Sequence, residues 1–121
     1  MTKTFEDFSV YKKGLGLIKE INCLCCSVKG GQYNFLKDQI RRASASILLN
    51  LAEGAGKWNK KDKLNFYRMS QASANECFAA VDLFIAFQLI NPAYAQTIKD
   101  KLRSIIIDLQ ALKMNIERRK K

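Results

Sequence analysis

The sequence predicts an all-α fold, an antiparallel up-down-up-down four-helix bundle, on three observations. Apolar residues recur at helical spacing in four separate segments. Six glycines and one proline leave too few turn formers for an all-β chain of 121 residues. The breaks between segments are short, so consecutive helices must fold back on one another. At 48% hydrophobic the chain supports one core, and a single domain over residues 1–121 is expected.

A first helix is expected over residues 5–28, with Phe8, Tyr11, Leu15, Ile18 and Cys25 on its apolar face. Gly14 and Gly16 weaken its start, and Lys29-Gly30-Gly31 ends it. The second, over residues 34–53, places Leu36, Ile40, Ala43, Ile47 and Leu51 on one face, with Gly54 where a left-handed residue would stop it. The third runs over residues 60–88 behind an Asn59 N-cap with Asp62 as capping partner, and carries Tyr67, Ala74, Cys77, Val81 and Phe84. Asn91-Pro92 opens the fourth, over residues 92–117. There Ala95, Ile98, Leu102, Ile105, Leu109, Leu112 and Ile116 form a coiled-coil-like seam before a basic tail at residues 118–121.

A further apolar strip, Ala45, Leu48, Leu49 and Ala52, lies on another side of the second helix, and Ile106 and Ile107 broaden the fourth. One core does not easily bury both faces, so a second packing surface is inferred, most simply against another copy of the chain. A wide contact within one subunit is the other reading.

The net charge of +10 favours polyanions, either nucleic acid or an acidic membrane surface. The charge is patchy: Lys57, Lys60, Lys61, Lys63 and Arg68 crowd together, Arg118, Arg119, Lys120 and Lys121 close the chain, and residues 69–98 hold no Lys or Arg. No signal sequence or membrane-length apolar run is found, so a cytoplasmic, membrane-free protein with reduced thiols is expected.

"GAGKW" is not a Walker-type loop, because Leu51 stands where the first glycine belongs, Trp58 follows Lys57, and a helix precedes it. The adjoining lysines sit at a helix N-terminus that also favours anions, with Trp58 and Tyr67 available to stack on bases. Alternatively this is a solvated loop whose Trp58 packs over the bundle end. Cys23, Cys25, Cys26 and Cys77 lack a second short-spaced pair and the chain has no histidine, so core thiols are expected rather than a metal site.

Without histidine, a Ser-His-acid or Cys-His centre is excluded, and acid-base work would fall to carboxylates such as Glu53 and Glu76, or to lysines. Structural partners for both carboxylates need fewer assumptions, and no enzyme activity or cofactor is expected. Gln39, Arg42, Ser46, Asn50 and Glu53 share a polar stripe. If it meets Ser73 and Glu76, Arg42 pairs with Glu76 in a buried network that fixes helix register; a ligand site or a solvated face is the alternative.

The run "LKDQIRRASASILLNLAEGAGKWNKKDKLNFY" followed by "SQASANECFAAVDL" resembles the bacterial four-helix-bundle family of proteins encoded in intervening sequences of 23S ribosomal RNA genes. The family's recurrent positions fall on Gln39, Arg42, Ala43, Ser46, Ile47, Asn50, Ala52, Glu53, Gly54, Ser73 and Glu76, with Ala72 in place of a usual glycine, and "FEDFSVYKKGLGL" fits its opening. The resemblance implies a ring-like homopentamer. Related proteins are accessory (variability determinant) subunits of diversity-generating retroelements, where a basic pentamer binds reverse transcriptase and its RNA template. The expected function is therefore a non-catalytic nucleic-acid-binding scaffold, with RNA or an RNA/cDNA hybrid and a reverse transcriptase as partners. Phosphate contacts are expected from Lys57, Lys60, Lys61, Lys63, Arg68 and the tail at residues 118–121. The alternatives are an intervening-sequence protein of unassigned role and a pentameric protein adaptor that binds no nucleic acid.

Overall fold

A computed structural model describes residues 4–119. A 3-10 turn, Phe5–Asp7, precedes four helices: α1 (Ser9–Ser27), α2 (Asn34–Gly56), α3 (Lys60–Ala86) and α4 (Pro92–Glu117). Each helix packs against the next, and α1 closes on α4. Paired residues run in opposite directions along every seam. Ser70 Oγ donates to the Ile47 carbonyl at 2.7 Å and Lys63 Nζ to that of Ala55 at 3.1 Å between α2 and α3. Lys101 Nζ meets Glu20 Oε1 at 2.8 Å and Lys13 Nζ meets Asp108 Oδ2 at 2.8 Å between α4 and α1. The bundle is therefore antiparallel and up-down-up-down, as its short connections require.

The seam of α4 is buried at every expected position except Leu112, which is half-buried, and the expected faces of α2 and α3 also meet the core. The first helix differs. Its core face is Val10, Gly14, Leu17, Ile21, Leu24 and Val28, joined by Cys25 of the expected set, while Leu15 is exposed and Phe8, Tyr11 and Ile18 are only half-buried. Both sets have helical spacing, and Leu48 of α2 decides between them by packing where a Gly14 Cβ would stand. That contact also buries Leu48 within its own subunit, whereas its neighbour Leu49 is left 70% exposed.

Three helix ends depart from expectation. The chain enters α1 only at Ser9, after the separate 3-10 turn. Gly54 lies inside α2, which continues to Gly56; a Cβ there would sit 2.7 Å from Tyr67 Cε1, so close helix packing, not a left-handed stop, calls for glycine. Helix α3 ends at Ala86 because Gln88 takes the left-handed conformation (φ 59°), letting the Leu89 amide reach back to the Phe84 carbonyl at 2.9 Å. Other signals behave as read: Gly30 has φ +84° in the α1–α2 turn, Asn59 accepts from the Asp62 amide at 2.8 Å, and Asn91 accepts from that of Ala93 at 2.7 Å.

Candidate nucleic-acid interface

One end of the bundle gathers the C-terminus of α2, the linker Lys57-Trp58-Asn59, the N-terminus of α3 and the C-terminus of α4. A helix C-terminus carries unpaired carbonyls and a partial negative charge, which cations satisfy. Lys60 Nζ donates to the carbonyls of Glu117 at 2.8 Å and Arg119 at 2.9 Å, closing the end of α4. Lys63 Nζ does the same for α2, at 3.3 Å from the Gly54 oxygen and 3.1 Å from that of Ala55. Burial pushes the Lys63 ammonium below the usual lysine range, and the Arg119 charge adds to the shift. Two of the lysines expected to contact phosphates are thus engaged in holding helix ends.

The other cations differ in freedom. Lys57 Nζ lies 3.4 Å from Glu53 Oε2 and 5.4 Å from the Phe66 ring centroid, and Arg68 Nη2 is 3.8 Å from Glu117 Oε2. Both contacts are at the surface, where ion pairs are weak and exchange readily for a phosphate. Lys61 and Arg118 are exposed. Lys120 and Lys121 lie outside the described residues. Trp58 does not pack over the bundle end, since its side chain is 96% exposed between Lys57 and the capped start of α3. Tyr67 is buried against Gly54 and cannot stack on a base.

The polar stripe of α2 meets α3, but not as a buried network. Gln39 Nε2, rather than Arg42, donates to the Glu76 carboxylate; Gln39, Arg42, Glu53 and Glu76 are exposed, and Ser46, Asn50 and Ser73 are half-buried. Asn50 Nδ2 turns back to the Ser46 carbonyl at 3.0 Å within its own helix. The buried polar link between these helices is Ser70, a residue that gave no sequence signal because a lone serine at an apolar spacing reads as a gap in the pattern. Glu53 and Glu76 hold Lys57 and Gln39 respectively, rather than facing each other across a cleft. The cysteines also divide: Cys25 and Cys77 are buried, with burial pushing the Cys77 thiol up to about 12, while Cys23 and Cys26 are exposed and so are not core thiols. Among the described residues, no group of three or more metal-ligating side chains comes together, and no helix is long and apolar enough to cross a membrane.

With this geometry in hand, the family described as 23S rRNA-intervening sequence protein matches residues 6–111. The chain belongs to that family. A similar solved structure is a protein of unknown function from the S23 ribosomal protein family of Bacteroides thetaiotaomicron, 24% identical, with a TM-score of 0.78 over 86% of this chain and 97% of that one. That likeness supports the four-helix fold. No curated protein matches the chain.

In this intervening-sequence family member, the matched span contains the whole α2–α3 region and stops before the basic residues that follow α4. Two features of the region escaped the sequence reading. Tyr33, Phe35 and Phe87 cluster at the far end of the bundle, with centroid separations of 5.5 to 6.4 Å; the first two stand at the start of α2 and the third at the end of α3, so no shared periodicity marks them. Leu49 on α2 and Met69 and Leu83 on α3 are also left exposed, as are Phe35 and Phe87, whose rings meet where α2 starts and α3 ends.

Proposed function

We propose that this family member is a non-catalytic scaffold that binds structured RNA, acting as a ring-like homopentamer. The RNA reading is carried by one observation, the 96% exposed indole of Trp58 among basic side chains. Leaving a large apolar ring in water forgoes about 1.5–3 kcal/mol of burial, and stacking on an unpaired base recovers about 1–3 kcal/mol. Lys57, Lys61, Arg68 and Arg118 then supply phosphate contacts, with Lys60 and Lys63 adding to the local field while they hold the helix ends.

The oligomer reading is supported by the large apolar side chains left exposed on and beside α2 and α3, Phe35, Leu49, Met69, Leu83 and Phe87. The number five comes from the resemblance to the family. A ring repeats each basic end several times, so modest single contacts sum by avidity. The retroelement role, with an RNA/cDNA hybrid and a reverse transcriptase as partners, is a narrower form of this reading; the family match favours the intervening-sequence setting.

Trp58 is the chain's single tryptophan, so its fluorescence reports binding at the site itself. Titration with a structured RNA bearing an unpaired loop should quench it, and Trp58→Ala with Lys61→Glu should weaken retention at least about tenfold, a loss of ~1.4 kcal/mol. Unchanged fluorescence at low salt would reject RNA contact at this end and turn the reading to a protein adaptor.

A further inference from the structure

At the same end of the bundle, a hollow of about 720 Å³ opens between the 3-10 turn, α2, α3 and α4, with exposed Arg119 in its lining. Phe5, Phe8, Leu112 and Ile116 give it apolar walls, while Lys63 and Arg119 belong to its lining. The volume falls within the range of small-molecule sites, about 300–1,000 Å³. Two physical observations make it more than a packing gap.

The first is charge. The Arg119 charge is close enough to disfavour the Lys63 proton, and among the described residues no carboxylate lines the hollow to balance the pair. Lys63 spends hydrogen bonds on the Gly54 and Ala55 carbonyls, while the Arg119 side chain makes none within the described residues. A guanidinium in that state retains its full fork of donors.

The second is Tyr67. It lines the hollow and is 1% exposed, yet its hydroxyl has no hydrogen-bond partner among the described residues. Burial raises its pKa, so the group stays a neutral donor. That hydroxyl keeps access to the hollow, and a ligand oxygen there can accept its hydrogen bond.

We propose that this hollow binds an amphiphilic carboxylate, its alkyl or aryl body against Phe5, Phe8, Leu112 and Ile116 and its headgroup held by Arg119, Lys63 and the Tyr67 hydroxyl. A carboxylate suits the donors: two oxygens accept the planar guanidinium fork in parallel, and one negative charge offsets the cation pair. The apolar body accounts for a site whose walls water alone does not satisfy. This site stands apart from the RNA reading, because neither Trp58 nor Lys61 belongs to its lining.

The test is calorimetric titration of the full chain with decanoate in the absence of RNA, beside decanol of the same tail length. Saturable binding of one decanoate per chain is expected, about tenfold or more tighter than decanol, with Arg119→Met and Tyr67→Phe each weakening decanoate and leaving decanol unchanged. Lys63→Met is expected to weaken it too; should its loss from the end of α2 unfold the chain, the other two variants still decide. Absence of saturable binding, equal affinity for decanol, or decanoate binding untouched by Arg119→Met and Tyr67→Phe would each overturn the proposal.

Discussion

At the scale of single residues, Gly54 and Gly16 have opposite meanings. A Cβ on Gly54 would fall 2.7 and 2.9 Å from two ring carbons of Tyr67, whose ring is buried and cannot swing aside. A Cβ on Gly16 would meet nothing within 4 Å. Gly54→Ala should therefore destabilise the fold by about 1–3 kcal/mol through overpacking. Gly16→Ala should stabilise it by up to ~1 kcal/mol by raising helix propensity. Urea unfolding of the two variants separates the effects, and equal midpoints would contradict the packing account. The sequence marked Gly54 as special but for the wrong reason: a glycine near the end of an apolar pattern reads as a helix stop, and the ring that makes it necessary comes from another helix. Lys60 and Lys63 likewise sit in a charge run, and the carbonyls they satisfy are reached only across the fold, those of Glu117 and Arg119 for Lys60 and, across the turn between α2 and α3, those of Gly54 and Ala55 for Lys63.

At the scale of elements, α1 and α4 are joined through Glu20, whose carboxylate accepts from Lys101 Nζ at 2.8 Å and from the Tyr94 hydroxyl at 2.6 Å. The bond to Lys101, helped by that from Tyr94, holds the Glu20 pKa below the usual carboxylate value. A folded-state pKa that is lowered gives stability present above the unfolded pKa, near 4.5, and lost as pH falls through the folded one. Tyr94 behaves inversely, pushed up to about 12 by burial and then by Glu20, so its contribution is intact below about pH 10 and is lost as pH rises toward 12. The α1–α4 seam should therefore loosen at both extremes. Spectrophotometric titration should find a tyrosine ionising near 12 that disappears in Tyr94→Phe; normal ionisation of every tyrosine would refute the bond. The core faces of α2, α3 and α4 and the caps at Asn59 and Asn91 were legible because each depends on nearby residues, whereas the face of α1 was not, since Gly14 carries no hydropathy and is chosen by its fit to Leu48.

At the scale of the whole molecule, the bundle buries the seam of α4 and the main faces of α2 and α3, yet leaves Phe35, Leu49, Met69 and Leu83 of α2 and α3 exposed. Of the second packing surface read from the sequence, Leu48 is absorbed by α1, while Leu49 and Ile107 remain exposed. If copies meet on the α2–α3 face, Leu49→Glu with Leu83→Glu should convert the assembly to folded monomers, because charges on an apolar interface are costly to desolvate. Light scattering would show the fall in mass while circular dichroism shows unchanged helix content; a mass unaltered by both charges would exclude this face. Wild type should also lose RNA affinity steeply as salt rises, since each neutralised phosphate contributes about −0.7 to −0.9 to the slope of log affinity against log salt. The double variant, presenting one basic end instead of several, should show a shallower slope.

The sequence by itself determined the number of helices, their order, their caps at Asn59 and Asn91, the core seam of α4 and the family of the chain, because each of these rests on local spacing or on contiguous motifs. Only the tertiary structure decided which lysines are free, where Trp58 points, that Gln39 rather than Arg42 holds Glu76, and that an amphipathic hollow lies beside Tyr67. Those features are set by partners distant in the chain, and hydropathy and spacing carry no information about which side chain will stand opposite another once helices pack.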